Sequence, residues 1–411
     1  MSASLTAPSQ VLAPFRYPAF RAIWIANLVS NIGSMIQSTG AAWLMTDLSR
    51  SHQLVALVQA SVTIPVLLLG VFAGAIADNF DRRKVMLVAQ AGMLAASALL
   101  ALLTWAGAIG PLQLLGLTFL VGAGTALNGP AWQASVRMQV GPGDLSQAIS
   151  INTIAFNLAR SVGPALGGLL ISLTSPALAF ALNALSFVAL IVVLLRWRPE
   201  TPPPRRQPML ASIGAGLAFC ASSHPVRRVL LRGLVFGFGA AAVQALLPLV
   251  VRERLGGSEV DFGLVLGAFG LGSIVTALWV APARRRWGSE AVVGAATLIF
   301  GLSSLPLAFA QSLDLALACT FVAGGGWVAT LTSLNVAMQL RSPEDILGRC
   351  LSIYQAVTFG GMALGAWCGG LVSDLAGLPA AILGATTLLL LSLPLLRRFA
   401  PMPRRDEGRL S

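Results

Sequence analysis

Charge is what this sequence has least of. Lys, Arg, Asp and Glu make up only 10% of its 411 residues, whereas 56% are hydrophobic and the mean hydropathy is +0.80. A soluble globular domain carries about a quarter of its residues charged, so a soluble fold is excluded. Cysteine is scarce too. Cys220, Cys319, Cys350 and Cys368 show no Cys-x-x-Cys or Cys/His spacing, which excludes a metal knuckle and argues against a disulfide framework. They read as small apolar packing residues. No phosphate-binding P-loop is present, so ATP is not the energy source this chain carries. Met1–Arg16 is polar and proline-bearing, and the apolar block after it runs too long for a signal-peptide core, so no cleavable signal is expected.

What the chain does have is apolar blocks of about 20 residues, the length a helix needs to cross about 30 Å of hydrocarbon. Twelve such spans are expected, at 19–46, 54–78, 84–107, 111–137, 145–174, 176–196, 229–252, 259–283, 288–310, 313–339, 345–374 and 378–397. The expected class is an all-α polytopic membrane protein with both termini on one side.

The net charge of +12 raises the possibility of nucleic acid, but the basic residues sit in short connectors between apolar blocks. Placing the N-terminus in the cytoplasm puts 23 Lys and Arg inside. Only Arg50, Arg252 and Arg254 fall outside, and Arg160 lies within a span. Translocation of cations is disfavoured, so both termini are expected to be cytoplasmic, and no nucleic acid is expected as a partner. The stretch around Pro202-Pro203-Pro204-Arg205-Arg206 reads as a cytoplasmic linker running into a short surface helix. It divides the chain into 1–198, a linker at 199–228, and 229–411 with a basic tail.

The two halves repeat. Thr118-Phe119-Leu120-Val121-Gly122-Ala123-Gly124 matches Thr320-Phe321-Val322-Ala323-Gly324-Gly325-Gly326 at an offset of 202. Gly163, Gly167 and Gly168 fall on Gly365, Gly369 and Gly370 at the same offset. Two pseudo-symmetric, parallel six-helix halves follow, an arrangement used by a large class of secondary transporters.

Five charges crowd into seven positions at Asp78-Asn79-Phe80-Asp81-Arg82-Arg83-Lys84, between spans two and three. Gly74 allows close helix approach. Asp78, at the C-terminal end of a span, is poorly placed for the helix dipole and needs cationic partners or another helix's N-terminus. The alternative is a Mg²⁺-diphosphate site at Asp78 and Asp81, which would need several more carboxylates. The nearest acidic pair, Glu344-Asp345, does not supply a second cluster. An enzyme is therefore disfavoured, and no metal or cofactor is expected.

The pattern Gly74-x-x-x-Asp78-x-x-x-Arg82-Arg83 resembles the loop motif of the major facilitator superfamily. Asn79 and Asp81 depart from it, and the Asp-x-x-Asp-Arg-Arg form resembles the enterobactin-exporter-like, or transmembrane secretion effector, branch. Gly163-Pro164-Ala165-Leu166-Gly167-Gly168 in span five resembles the antiporter motif of that superfamily's exporters. Gly122-Ala123-Gly124-Thr125-Ala126 resembles a further exporter motif, without its preceding arginine. The resemblance implies the major facilitator fold, alternating access, and conformational gating by Gly74, Asp78, Asp81, Arg82 and Arg83. It also implies export over uptake, proton antiport and a bacterial inner membrane.

A polar stripe, Asn27, Asn31, Ser34 and Ser38, runs along one face of span one beside Gln37. Such a stripe avoids lipid; the resemblance makes it cavity wall, with Asn128, Gln133, Gln244, Asn335 and Gln339 as companions. Interhelical hydrogen bonding is the competing account of each. Arg160 lies about 22 Å along span five at 1.5 Å per residue and is expected to meet an anionic substrate group or a mobile carboxylate, with backbone carbonyls near Pro164 as the alternative. Every Asp and Glu falls at a span end or in a connector; Asp47 and Asp374 are the nearest candidates for proton coupling. The expectation is a monomeric, gradient-driven exporter of small amphipathic compounds such as siderophores, secondary metabolites or drugs, bathed in membrane lipid. A lysophospholipid flippase of the same fold is the alternative.

Overall fold

The computed structural model describes residues 12–199, 209–343 and 346–403, apart from the side chains of Asp78 and of residues 209–212. The linker prolines, Arg205, Arg206, Glu344, Asp345 and the tail arginines at 404, 405 and 409 lie outside the described residues.

Hydroxyl caps and prolines start most of the helices. Pro18, Pro111 and Pro176 stand in first turns, where a missing N–H costs nothing. Ser51, Ser175, Ser258 and Ser312 accept backbone N–H groups as N-caps. Six helices form the first bundle: α1 (Pro18–Leu48), α2 (His52–Asn79), α3 (Arg82–Trp105), α4 (Pro111–Ser135), α5 (Leu145–Leu173) and α6 (Pro176–Arg196). A short helix, α7 (Met209–Ser222), leads into the second bundle. That bundle comprises α8 (His224–Ala245), α9 (Glu259–Trp287), α10 (Ser289–Ser304), α11 (Leu313–Gln339), α12 (Leu347–Ala376) and α13 (Leu378–Phe399). Twelve of these helices, all but α7, belong to segments long and apolar enough to cross a membrane. No strand occurs among the described residues. Gly288 and Gly377, at φ of 85° and 88°, each close one helix and open the next; only glycine takes that conformation cheaply.

Two expected boundaries move. Asp81 accepts N–H bonds from Arg83 (2.9 Å) and Lys84 (3.3 Å) and so caps α3, which begins at Arg82 and takes three of the five clustered charges into its first turn. The seventh span starts at His224 instead of 229, because Arg232 is buried in an ion pair with Glu290 (2.7 Å) and bonds to the carbonyls of Leu396 and Ala400. That span ends in a π-helical turn, Val250–Arg254, which carries Arg252 and Glu253.

The repeat exists in space. A Cβ on Gly163 would strike Met35 of α1 at 2.5 Å, and one on Gly167 would meet Ile36 Cα at 3.1 Å. Gly365 and Gly369 stand in the same way against Phe238 and Ala242 of α8. Gly168 faces the opposite bundle, where a Cβ would stand 2.3 Å from the Glu259 carbonyl of α9, and a Cβ on its counterpart Gly370 would stand 2.6 Å from Gln53 Cα of α2. Higher up the chain, Gly122 lies against Val62 of α2 and Gly324 against Phe269 of α9. Small residues let backbones approach where the membrane provides no hydrophobic drive. The expected twelve spans in two pseudo-symmetric halves are thus borne out, with α5–α9 and α2–α12 forming the seams between the halves.

Helix α7 packs on α12, with Gly216 against Arg349 and Ile353, and it buries Cys220 beside Cys350. Burial and that neighbouring thiol push the Cys220 thiol up to about 12. Thiolate is the reactive form, so Cys220 should resist maleimide at pH 7.5 in the intact protein and react within minutes once α7 is released by mild denaturant. The check is mass spectrometry of the Cys220 peptide; rapid labelling of the intact protein would mean that α7 is not docked.

Candidate functional site

Both described chain ends and α7 lie at one face of the bundle, called here the linker face; the α1–α2 and α11 N-terminal ends lie at the far face. Midway between them, α5 and α9 touch so closely that a Cβ on Gly270 would stand 2.5 Å from Ser161 Cα. Arg160 emerges at this crossing. Its guanidinium carbon stands 5.7 Å from the Phe269 ring centroid of α9 and 5.6 Å from that of Trp327 of α11. Trp327 is also ringed by Phe236 of α8 and Phe300 of α10, at 5.9 and 6.3 Å between centroids. Arg160 forms no hydrogen bond or ion pair among the described residues, and the Trp327 indole N–H is buried without an acceptor. The first bundle's one mid-span cation therefore rests on the second bundle's aromatic core.

The other expected cavity residues divide. Asn27 and Asn31 are half-buried and Ser38 exposed. Ser34 leans to Asn183 of α6 at 3.5 Å, and Asn183 donates to Gln37 at 2.9 Å, inside the first bundle. The Asn128 Oδ1 and Gln244 Nε2 atoms are buried without partners. Gln339 donates to Asn335 at 2.7 Å along one helix face, and Gln133 is exposed. A separate cavity of about 650 Å³ opens on the flank of the second bundle between α10 and α13, near Arg232, Glu290 and Arg397. It lies away from all of these residues. Among the described residues, no three His, Cys, Asp or Glu side chains gather where they could hold a metal ion.

At the far face, polar contacts join the halves. Asp374, near the end of α12, accepts from Ser51 Oγ (2.7 Å), His52 N (2.6 Å) and Gln53 N (3.2 Å), and so caps the N-terminus of α2 from the opposite bundle. His52 Nδ1 meets Ser373 Oγ at 2.7 Å and Nε2 meets Glu253 at 2.9 Å. Asp47 pairs with Arg252, which also donates to Thr46 (2.6 Å) and stacks over Trp43. Trp43 in turn donates to Glu259 at 2.9 Å. The two expected proton candidates, Asp47 and Asp374, thus sit in one interbundle cluster. His52, Trp43, Glu253 and Glu259 belong to it without having been expected.

At the linker face, the charged turn fastens the first bundle. Arg83 donates to the carbonyls of Leu194 (2.7 Å) and Leu195 (2.8 Å) at the end of α6, and Arg82 to Ala134 O (3.4 Å) at the end of α4. Cations there satisfy orphan carbonyls and the negative dipole end. Gly74 faces the other bundle, where a Cβ would meet Ser352 Oγ at 3.4 Å. The Asp78 side chain lies outside the described residues.

Comparisons with known proteins agree with this architecture. A family profile described as "Transmembrane secretion effector" matches residues 9–410. The multidrug efflux pump Tap of Mycobacterium tuberculosis is 27% identical over 414 residues, spanning 96% of this chain and 97% of the relative. The enterobactin exporter EntS of Salmonella typhimurium is 28% identical over 419 residues, spanning 94% and 95%. The crystal structure of a bacterial homologue of the human lysosomal transporter Spinster, in an inward-facing and unoccupied conformation, superposes with a TM-score of 0.74. It does so at 13% identity, covering 97% of this chain and 99% of that one.

Proposed function

The chain belongs to the transmembrane secretion effector family of the major facilitator superfamily, and from that membership we propose that it is a gradient-driven exporter of small amphipathic compounds. It is a polytopic membrane transporter, not an enzyme, and it moves small molecules by secondary active transport with alternating access. Export in place of uptake, proton antiport, and the enterobactin-exporter-like branch are the finer parts of the proposal. The names of the two curated relatives, an efflux pump and an exporter, support them.

The observation that carries the reading is the far-face cluster. Contacts from Trp43, Asp47, Ser51 and His52 to Arg252, Glu253, Glu259 and Asp374 fasten the halves through side chains that can part without unfolding either bundle. With the basic linker face in the cytoplasm of a bacterial inner membrane, this is a state closed to the outside. Protons arriving from outside would reach Asp47 and Asp374 first. Protonation would remove the charge that holds each contact and so loosen the outer gate. Asp81, Arg82 and Arg83 act at the opposite end, by holding the first bundle's helix ends as one body during the swing, and Gly74 meets α12 of the other bundle there. Pro164 and Gly168 lie on the seam with α9 on which the first bundle turns, and Gly163 and Gly167 hold α5 to α1 of its own half.

The test is untargeted mass spectrometry of compounds accumulated by inverted vesicles, with and without a pH gradient. Gradient-dependent accumulation of a small amphiphile is expected. Accumulation confined to right-side-out vesicles would overturn the export direction, and lipid redistribution without substrate-linked proton movement in proteoliposomes would favour the flippase.

A further inference from the structure

We propose that Arg160, Phe269 and Trp327 form a binding site between the halves for a flat aromatic anion, with the acid group on the guanidinium and the ring against the aromatic core. The inference rests on the transport reading above and names the substrate class of its central site.

Three observations carry it. An arginine halfway along a membrane helix is costly, and stacking on rings returns only a small part of that cost. Yet Arg160 has no carboxylate or carbonyl partner among the described residues. Every acidic residue of the chain falls at a span end or in a connector, so no carboxylate at mid-depth can serve as the counter-ion. The second observation is the donor set. Guanidinium offers a planar fork of N–H donors and indole one more, and neither accepts. The buried Trp327 N–H is unused. A site made of donors and ring faces selects an acceptor-only group, such as a carboxylate, phenolate or sulfonate, and repels cationic amphiphiles. Third, the cation and the rings belong to opposite bundles, with α5 and α9 in backbone contact beside them. A ligand seated here touches both halves and senses their relative motion. A bound monoanion takes the central charge from positive to neutral, so the loaded state crosses the low-dielectric middle more easily than the empty one.

The experiment measures binding to the full chain in lipid nanodiscs by isothermal titration calorimetry, with 2-naphthoate, its neutral isostere 2-naphthamide and the cation ethidium as probes. Naphthoate should bind at least tenfold more tightly than naphthamide, and ethidium should not compete. Arg160→Gln should cost naphthoate tenfold or more and leave naphthamide unchanged. Arg160→Lys, which keeps the charge but not the fork, should fall between, and Trp327→Phe should weaken naphthoate severalfold. Thermal unfolding of each variant separates lost binding from lost folding, and Arg160→Lys decides the matter if Arg160→Gln does not fold. Equal affinity for naphthoate and naphthamide, absence of naphthoate binding up to millimolar concentration, or unchanged affinity in a folded Arg160 variant would overturn the proposal. Naphthoate binding without gradient-driven flux would instead keep the site and sink the exporter reading.

Discussion

Gly168→Val is expected to give a folded protein whose transport rate falls at least tenfold, whereas Gly167→Val, one residue away, should lower thermal stability first. The two glycines face different bundles. A Cβ at Gly167 meets Ile36 Cα at 3.1 Å and Thr39 Cβ at 3.2 Å, both on α1 of its own half. A Cβ at Gly168 would stand 2.3 Å from the Glu259 carbonyl and 3.0 Å from Gly263 Cα, on α9 of the other half. Backbone atoms cannot rotate aside, so α5 and α9 must separate, at a cost of about 1–3 kcal/mol for overpacking of this kind. That strain exists only where the far face is closed. It therefore shifts the equilibrium between conformations by about 5–150-fold, since each 1.4 kcal/mol is a factor of ten, and leaves each bundle's own packing intact. Gly370→Val should behave in the same way, because its Cβ would stand 2.6 Å from Gln53 Cα across the symmetry-related seam. Vesicle transport and melting temperature, measured on the three variants, check the assignment. Normal transport by Gly168→Val alongside a failed Gly167→Val would show that the seam is placed on the wrong glycine.

The same glycines show what was legible in the sequence. The offset of 202 that aligns Gly163, Gly167 and Gly168 with Gly365, Gly369 and Gly370 is a statement about local composition, and local composition decides where helices can touch. Span positions were legible for a similar reason, because the bilayer imposes one length on every crossing helix. The far-face cluster was not. Asp374 caps α2 across 321–323 positions of chain, and nothing in the residues around Asp374 names Ser51 as its partner. Its role depends on how two bundles meet. The charged turn shows the opposite effect. Asp81 reads as a gating residue by resemblance, and a short acceptor side chain before Arg82 is also an N-cap; the local bond to Arg83 N at 2.9 Å is formed. Arg160 was visible from its depth alone, whereas Phe269 and Trp327 were hidden among ordinary apolar spans.

Asp374→Ala is expected to open the far face even without substrate, and to do so more strongly than Asp47→Ala. Asp47 and Arg252 are both well exposed, at 45% and 39% of their side-chain surfaces, and an exposed ion pair contributes about 0–1 kcal/mol. Asp374 accepts one hydroxyl and two backbone N–H groups at the positive end of α2. Loss of a helix cap costs about 0.5–2 kcal/mol, and here it is charged only to the closed state, because the cap and the helix belong to different halves. A cost of 1–2 kcal/mol is a factor of about 5–30 in the open population. Spin labels at Arg50 and Gly256, one on each side of the cluster, should report a longer distance in Asp374→Ala and a smaller change in Asp47→Ala. Protonation removes the same acceptor charge. Acidifying the outer solution from neutral to below the ordinary carboxylate range of about pH 4 should therefore lengthen the distance in the wild type toward that of Asp374→Ala at neutral pH, with a smaller further change in the variant. A variant that responds to acid as fully as the wild type would place the proton elsewhere, with His52 and its partner Glu253 the next groups to replace.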